Sequence, residues 1–173
     1  MSERSLELLK QSVDNKIKYD YFIVGISAAT FSYFAKGFTA LPNVGFNESS
    51  FILLSLLLLS VSVISGLIKI ERNNKGLEKN SRLLDFQERL ACYKRNSFEG
   101  GVAINEYSGE ILTPADSEIS AAALESLMPK WKRELTFLGC FIRFLSVLRD
   151  SSLFLAYLSL AIGKFLPTLA KVI

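Results

Sequence analysis

The run from Phe51 to Ile70, FILLSLLLLSVSVISGLIKI, constrains this chain more than any other stretch. Its first eighteen residues carry no charge and nothing more polar than a serine hydroxyl. At 1.5 Å of rise per residue they cover roughly 27 Å, close to the hydrocarbon core of a bilayer at about 30 Å. A helix that is apolar on every side has no face to offer water. The run is therefore read as a transmembrane helix.

A second apolar run precedes it. Asp20 to Ala40 is interrupted only by Lys36, close enough to its end for the ammonium to reach the interface. Between the two runs lies LPNVGFNESS, Leu41 to Ser50, rich in turn formers. The two spans are thus expected to form an antiparallel hairpin. That ten-residue turn holds no Lys or Arg. Arg4, Lys10, Lys16 and Lys18 precede the hairpin, and Lys69, Arg72, Lys75, Lys79 and Arg82 follow it. The positive-inside rule then puts the turn outside and the N-terminus in the cytoplasm. Residues 1–19 read as an amphipathic lead helix, with Leu6, Leu9, Val13 and Ile17 at helical spacing. MSERSLELLK carries Glu3 and Glu7 where a signal peptide would be basic, so the membrane segments are expected to stay in the mature protein.

Glu71 to Asn96 is expected to continue the second span as a cytoplasmic helix. Glu71 and Lys75, Glu78 and Arg82, and Asp85 and Arg89 stand at i,i+4 in the favourable order. Leu83, Phe86, Leu90 and Tyr93 follow a 3-4-3 spacing on another face. They form a seam for self-association or for packing within the chain, and both readings are open. Ser97 to Asp116 contains Gly100 and Gly101, which break the helix. Val102 to Tyr107 and Glu110 to Thr113 are candidate strands of a small β-hairpin. Ser117 to Met128 reads as a helix capped by Ser117 and ended by Pro129.

The C-terminal region, 130–173, reads as membrane-associated helices. Lys132, Thr136, Gly139, Arg143, Ser146 and Asp150 form a thin polar stripe on an otherwise apolar helix, and Trp131 among basic residues suits an interfacial anchor. Ser151 to Ile173 is a third apolar helix, long enough to span. An interfacial or re-entrant helix fits the same residues. The fold class expected is thus an all-α membrane protein. Its parts are the lead helix 1–19, the transmembrane hairpin 20–70, a cytoplasmic helical region 71–129 with a Gly-rich insert, and the C-terminal helices 130–173.

The chain has no histidine, which removes the commonest general base and metal ligand. Cys92 and Cys140 match no metal spacing, and no phosphate-binding or protease motif occurs. The chain is read as no enzyme, with no cofactor and no metal. The net charge of +3 is too small to argue for nucleic acid. The spans carry a different signal. Ser55, Ser62 and Lys69 stand seven apart on the second, with Ser65 between the last two. Gly25, Ala29, Ser32 and Lys36 align on the first. Small residues and hydroxyls serve helix packing. Alternatively, several copies turn such a face to a shared axis. Ser55, Ser62, Ser65 and Lys69 would then line a pore, closed by Leu58 and Leu59 as an apolar constriction. Two or three spans cannot enclose a pore, so this reading requires a homo-oligomer.

The lead helix, the tight two-span hairpin and the charged helix running off the second span (Ser12 to Ala40, Phe51 to Ile70 and Glu71 to Arg95) resemble the SLATT-type two-transmembrane effectors of bacterial antiviral defence. The resemblance implies a multi-pass inner-membrane protein that disrupts the membrane or conducts ions. It also implies a nucleotide-type signal made by a partner enzyme. For a phosphate-bearing signal, Arg72, Lys75, Lys79, Arg82, Lys94 and Arg95 are the candidate contacts, with a solvated helix face as the plainer reading. The Gly-rich insert and the apolar C-terminus depart from the family pattern. A non-conducting membrane sensor or scaffold that docks a cytoplasmic partner is the alternative function.

Overall fold

The computed structural model describes residues 3–38, 47–100, 103–104, 109 and 111–169. Three helices dominate it: α1, Glu3–Lys36; α2, Glu48–Glu99; and α3, Pro114–Leu169. Between α2 and α3, β1 (Ala103–Ile104) pairs antiparallel with β2 (Ile111–Leu112), placing Ala103 opposite Leu112 and Ile104 opposite Ile111. The Leu41 to Phe46 part of the expected turn lies outside the described residues, as do Tyr107 and Ser108 of the insert and the last four residues.

The helices are longer and fewer than the local signals suggest. α1 is continuous from the lead segment through Asp20. No glycine or proline falls before Gly25, so nothing in the backbone separates the two expected helices. α2 continues from the apolar run into its charged extension, as expected, and stops at Gly100. Gly100 takes φ +67°, and its N–H donates to the Asn96 carbonyl at 3.1 Å. That left-handed stop suits glycine.

α3 passes through Pro129, where the sequence reading ends a helix. Proline removes one backbone donor. Pro129 and Glu125 both lie on an exposed face of α3. The cap also lies elsewhere. Thr113, not Ser117, starts α3: its Oγ1 accepts from the Asp116 N–H at 3.3 Å and donates to the Asp116 carboxylate at 2.6 Å. Pro114 then stands at the first helical position, where a missing N–H costs nothing. Ser117 is fully buried instead and accepts from Asn96 Nδ2 at 2.6 Å.

The chain divides into two compact units, residues 1–72 with 142–173, and residues 73–141. In the first, each helix buries one stripe at alternating spacings of four and three. α1 offers Asp20, Val24 and Ser27; α2 offers Ser55, Leu59, Ser62, Gly66 and Lys69; α3 offers Leu145, Arg149, Ser152, Ala156, Ser159 and Gly163. Such spacing is the seam of left-handed helix packing. In the second unit the same rhythm puts Leu83, Phe86, Leu90 and Tyr93 of α2 inward, and Ala121, Leu124, Met128, Trp131, Leu135 and Leu138 of α3. Phe86 meets Trp131 edge to face at 5.3 Å.

α2 and α3 are long and apolar enough to cross a membrane. Among the described residues α1 is not, although the hairpin reading makes it a span. Asp20, Lys36 and several hydroxyl-bearing residues dilute its apolar stretch.

Candidate functional site

The first unit encloses a charge cluster. Asp20 is 3% exposed, Lys69 3% and Arg149 1%. Lys69 Nζ and Arg149 Nη1 both donate to Asp20 Oδ1, each at 2.7 Å. Lys69 also donates to Ser146 Oγ at 3.2 Å. Arg149 also donates through Nε to the half-exposed carboxylate of Asp150 at 2.8 Å, and its guanidinium lies 5.7 Å from the centre of the Tyr19 ring. A carboxylate from α1 thus joins cations from α2 and α3. Moving charges of this kind out of water costs several kcal/mol per ion, on the order given by desolvation, so the pairing is what permits their burial.

Gly66 makes room for the cluster. A Cβ there would come within 2.5 Å of Val24 Cγ2 and 3.3 Å of Arg149 Cδ. A bare backbone at this one position lets α1 and the arginine stem approach α2 together.

Hydroxyls run along the rest of the seam. Ser55 donates to the Ala156 carbonyl at 2.9 Å, Ser62 to the Arg149 carbonyl at 3.3 Å, and Ser159 to the Phe51 carbonyl at 2.9 Å. These bonds tie α2 and α3 together through backbone acceptors. Ser65 donates within α2, to Val61 and Ser62 carbonyls. The hydroxyl link to α1 is weaker. Ser27 has the Ile23 carbonyl at 2.8 Å for its one proton, and its oxygen stands 3.4 Å from that of Ser62. Farther along, Thr30 and Tyr157 share a hydrogen bond of 3.1 Å. Among the described residues, no buried side-chain nitrogen or oxygen lacks a partner.

The residues singled out from the sequence are redistributed. Ser55, Ser62, Ser65 and Lys69 face the interior of their own chain, with Leu59 fully buried and Leu58 partly so. A pore between copies needs that face open, so in this conformation they line no path. On α1 the predicted face of Gly25, Ala29, Ser32 and Lys36 is exposed, and the packed face is Asp20, Val24 and Ser27. The seam of Leu83, Phe86, Leu90 and Tyr93 packs within the chain, the Phe86–Trp131 contact being with α3. Trp131 is accordingly half-buried against Phe86.

The six candidate phosphate contacts are engaged already. Lys79 pairs with Glu134 at 2.8 Å, Arg82 with Glu78 at 2.7 Å, Lys94 with Glu125 at 3.1 Å and Arg95 with Glu99 at 3.0 Å. Arg72 and Lys75 also have partners. Lys79 beside Glu134 holds that carboxyl below its ordinary range, and Glu99 raises Arg95. Lys79, Arg82, Lys94 and Arg95 thus belong to a solvated, acid-paired surface.

Asp20 and Arg149 are the functional candidates missed by sequence reasoning. Each sits at the polar edge of an apolar run, where a charge reads as a boundary marker. The available signal was the heptad frame: Ser55, Ser62 and Lys69 on α2 match Arg149, Ala156 and Gly163 on α3, also seven apart. No family model matches the chain, and no curated protein or solved structure matches it either.

Proposed function

We propose that the protein is a homo-oligomeric membrane effector. α2 and α3 cross the inner membrane, and a cytoplasmic signal converts the polar seam of the first unit into an ion-conducting path that depolarises the cell. The observation that carries this reading is the seam itself. A buried Asp20–Lys69–Arg149 cluster and a file of serines occupy the centre of helices whose outward side chains are apolar, including Leu53, Leu57, Ile64, Phe154 and Leu158. Ionisable groups inside membrane helices are expensive and commonly mark ion or substrate pathways. The structure corresponds, in this reading, to the closed state, with the serine face covered. The resemblance to defence effectors adds the setting: antiphage defence, with a nucleotide-type signal from a partner enzyme acting on the 73–141 unit.

The test is reconstitution of the purified protein in phosphatidylethanolamine–phosphatidylglycerol liposomes, with nucleotides added on the side of residues 73–141. Ion leak is expected, together with more than one copy per particle in mild detergent. A monomer that never leaks, with or without nucleotides, sinks the proposal.

A second reading is a non-conducting scaffold that docks a soluble partner. It is favoured by the apolar side chains left open where α2 ends and α3 begins: Phe98 is 93% exposed, and Ile111 and Ile119 are each 70% exposed. On that reading Phe98→Asp abolishes partner binding, and Ser62→Leu does not alter it.

A further inference from the structure

We infer that α1 is a removable cover held by Asp20, and that the groove it covers on α2 and α3 passes anions. The inference rests on the pore reading above and names its gate and its ion class. Two observations carry it: how the three helices are fastened, and what lies beneath α1.

The fastening is uneven. α2 and α3 are joined by three serine-to-backbone bonds, Ser55 to Ala156, Ser62 to Arg149 and Ser159 to Phe51, spread along their length. At one end Lys164 also pairs with Glu48 at 2.7 Å. Because the backbone-directed links come from three serines on two helices, no single side chain carries the joint between α2 and α3. Among the described residues, the polar links of α1 run from side chain to side chain: the Asp20 carboxylate, the Tyr19 ring beside Arg149, the exposed Thr30–Tyr157 bond, and the 3.4 Å approach of Ser27 to Ser62. Asp20 is the strongest of these, because two buried cations converge on one of its oxygens. Among the described residues, α1 is also the one long helix that does not reach the length and apolarity of a membrane span.

The charge beneath α1 is uneven as well. With Asp20 in place, its carboxylate and that of Asp150 balance Lys69 and Arg149. With α1 withdrawn, Lys69 and Arg149 remain against Asp150 alone, and one positive charge is in excess. Ser62 lies beside them, and Gly66 is left without the Val24 methyl that abuts it. A groove lined by hydroxyls and a net cation favours small anions over cations, because a ring or patch of one sign focuses the opposite ion. The signal need only weaken one carboxylate's hold to uncover the path, and several copies would complete its wall.

The experiment uses the full chain with Cys92 and Cys140 replaced by Ser. A Ser27→Cys/Ser62→Cys pair reports α1 on α2, and a Ser55→Cys/Ala156→Cys pair reports α2 on α3. Each is oxidised with and without Asp20→Asn, in liposomes loaded with chloride- and potassium-sensitive dyes. The expected result is a several-fold fall in the Ser27–Ser62 cross-link with Asp20→Asn, while the Ser55–Ala156 cross-link is unchanged. Asp20→Asn should also leak without any signal, chloride at least several-fold faster than potassium, and the Ser27–Ser62 cross-link should stop that leak. Equal α1 cross-linking in both backgrounds overturns the inference. So does loss of both cross-links, which would make the cluster a fastening for the whole bundle. A leak that favours potassium, or that persists through the α1 cross-link, also overturns it. A selective loss of the α1 cross-link in a protein that never leaks would overturn the pore reading and the anion path, and keep only the cover.

Discussion

In residues 1–72 with 142–173 three charges are enclosed between helices that leave many large apolar side chains on the outside. Asp20, Lys69 and Arg149 are buried, while Leu57, Ile64, Phe154 and Leu158 are exposed. In residues 73–141 no charged side chain is buried among the described residues. Leu83 and Ala121 are buried, and the Lys79–Glu134, Arg82–Glu78 and Lys94–Glu125 pairs lie on the surface. Water selects the second pattern, because it solvates charges and expels apolar surface. The first pattern suits apolar surroundings, where packing and internal polar contacts hold helices together. The same 4-3 rhythm of buried positions thus carries charges and hydroxyls in one unit and apolar side chains in the other.

The sharpest way to break this comparison is to remove an arginine from each unit. Arg149→Leu should cost about 3–5 kcal/mol, the scale for stripping one partner from a buried ion cluster. Arg82→Leu, with its side chain 61% exposed, should change stability by less than about 1 kcal/mol. Replacing Asp20, Lys69 and Arg149 together by Leu should recover most of the loss, since a well-packed apolar core often matches a buried ion group. Unfolding midpoints in one detergent measure all three. Equal responses to the two single arginine changes would erase the contrast between the units.

Apolar truncation should weigh the other way. Leu83→Ala in the second unit is expected to cost about 2–5 kcal/mol through the cavity it leaves. Ser55→Ala in the first unit loses one hydrogen bond, about 0.5–1.5 kcal/mol. Hydrogen exchange on α2 would show the first loss at amides beyond residue 73 and the second before it. Glycines sharpen the comparison further. Gly66→Leu should cost about 1–3 kcal/mol by overpacking, because the added carbon meets Val24 at 2.5 Å. Gly139 has nothing within 4 Å of its missing Cβ. Gly139→Ala should therefore be neutral or stabilising by up to about 1 kcal/mol, from helix propensity alone.

Much of this architecture is legible in the residues. The apolar run to Ile70 and its continuation to Asn96 follow from composition and i,i+4 pairing, both local properties of one helix. What is hidden is anything decided between helices. Pro129 reads as a stop because a single chain segment cannot show that the packing on either side of it carries the helix through. Ser55, Ser62 and Lys69 read either as a packing face or as a pore face, because the partners that cover them, Ala156, Arg149 and Asp20, lie far away in sequence. Leu83, Phe86, Leu90 and Tyr93 form a seam in either case. Only the position of Trp131 decides that the seam closes within the chain.

A small and pH-dependent effect is expected at the start of α3, in the second unit. Thr113 Oγ1 and N–H both donate to Asp116, at 2.6 and 3.2 Å, and hold its carboxyl below the usual carboxylate range. A carboxyl whose folded value is depressed adds stability above its unfolded value, near pH 4. That contribution disappears as the pH falls through the lower folded value. The first turn of α3 should therefore fray on acidification below about pH 4, with amide exchange at Ser117 and Glu118 rising first. Asp116→Asn should flatten this dependence, because its side chain cannot titrate. Thr113→Ala should cost about 1 kcal/mol at neutral pH as a lost cap, and should also flatten the acid response. The buried cluster around Asp20 should respond to neither change, since these residues belong to the other unit. If Thr113→Ala altered the Ser27–Ser62 cross-link as strongly as Asp20→Asn, the two units could not be treated as separate structures with separate chemistry.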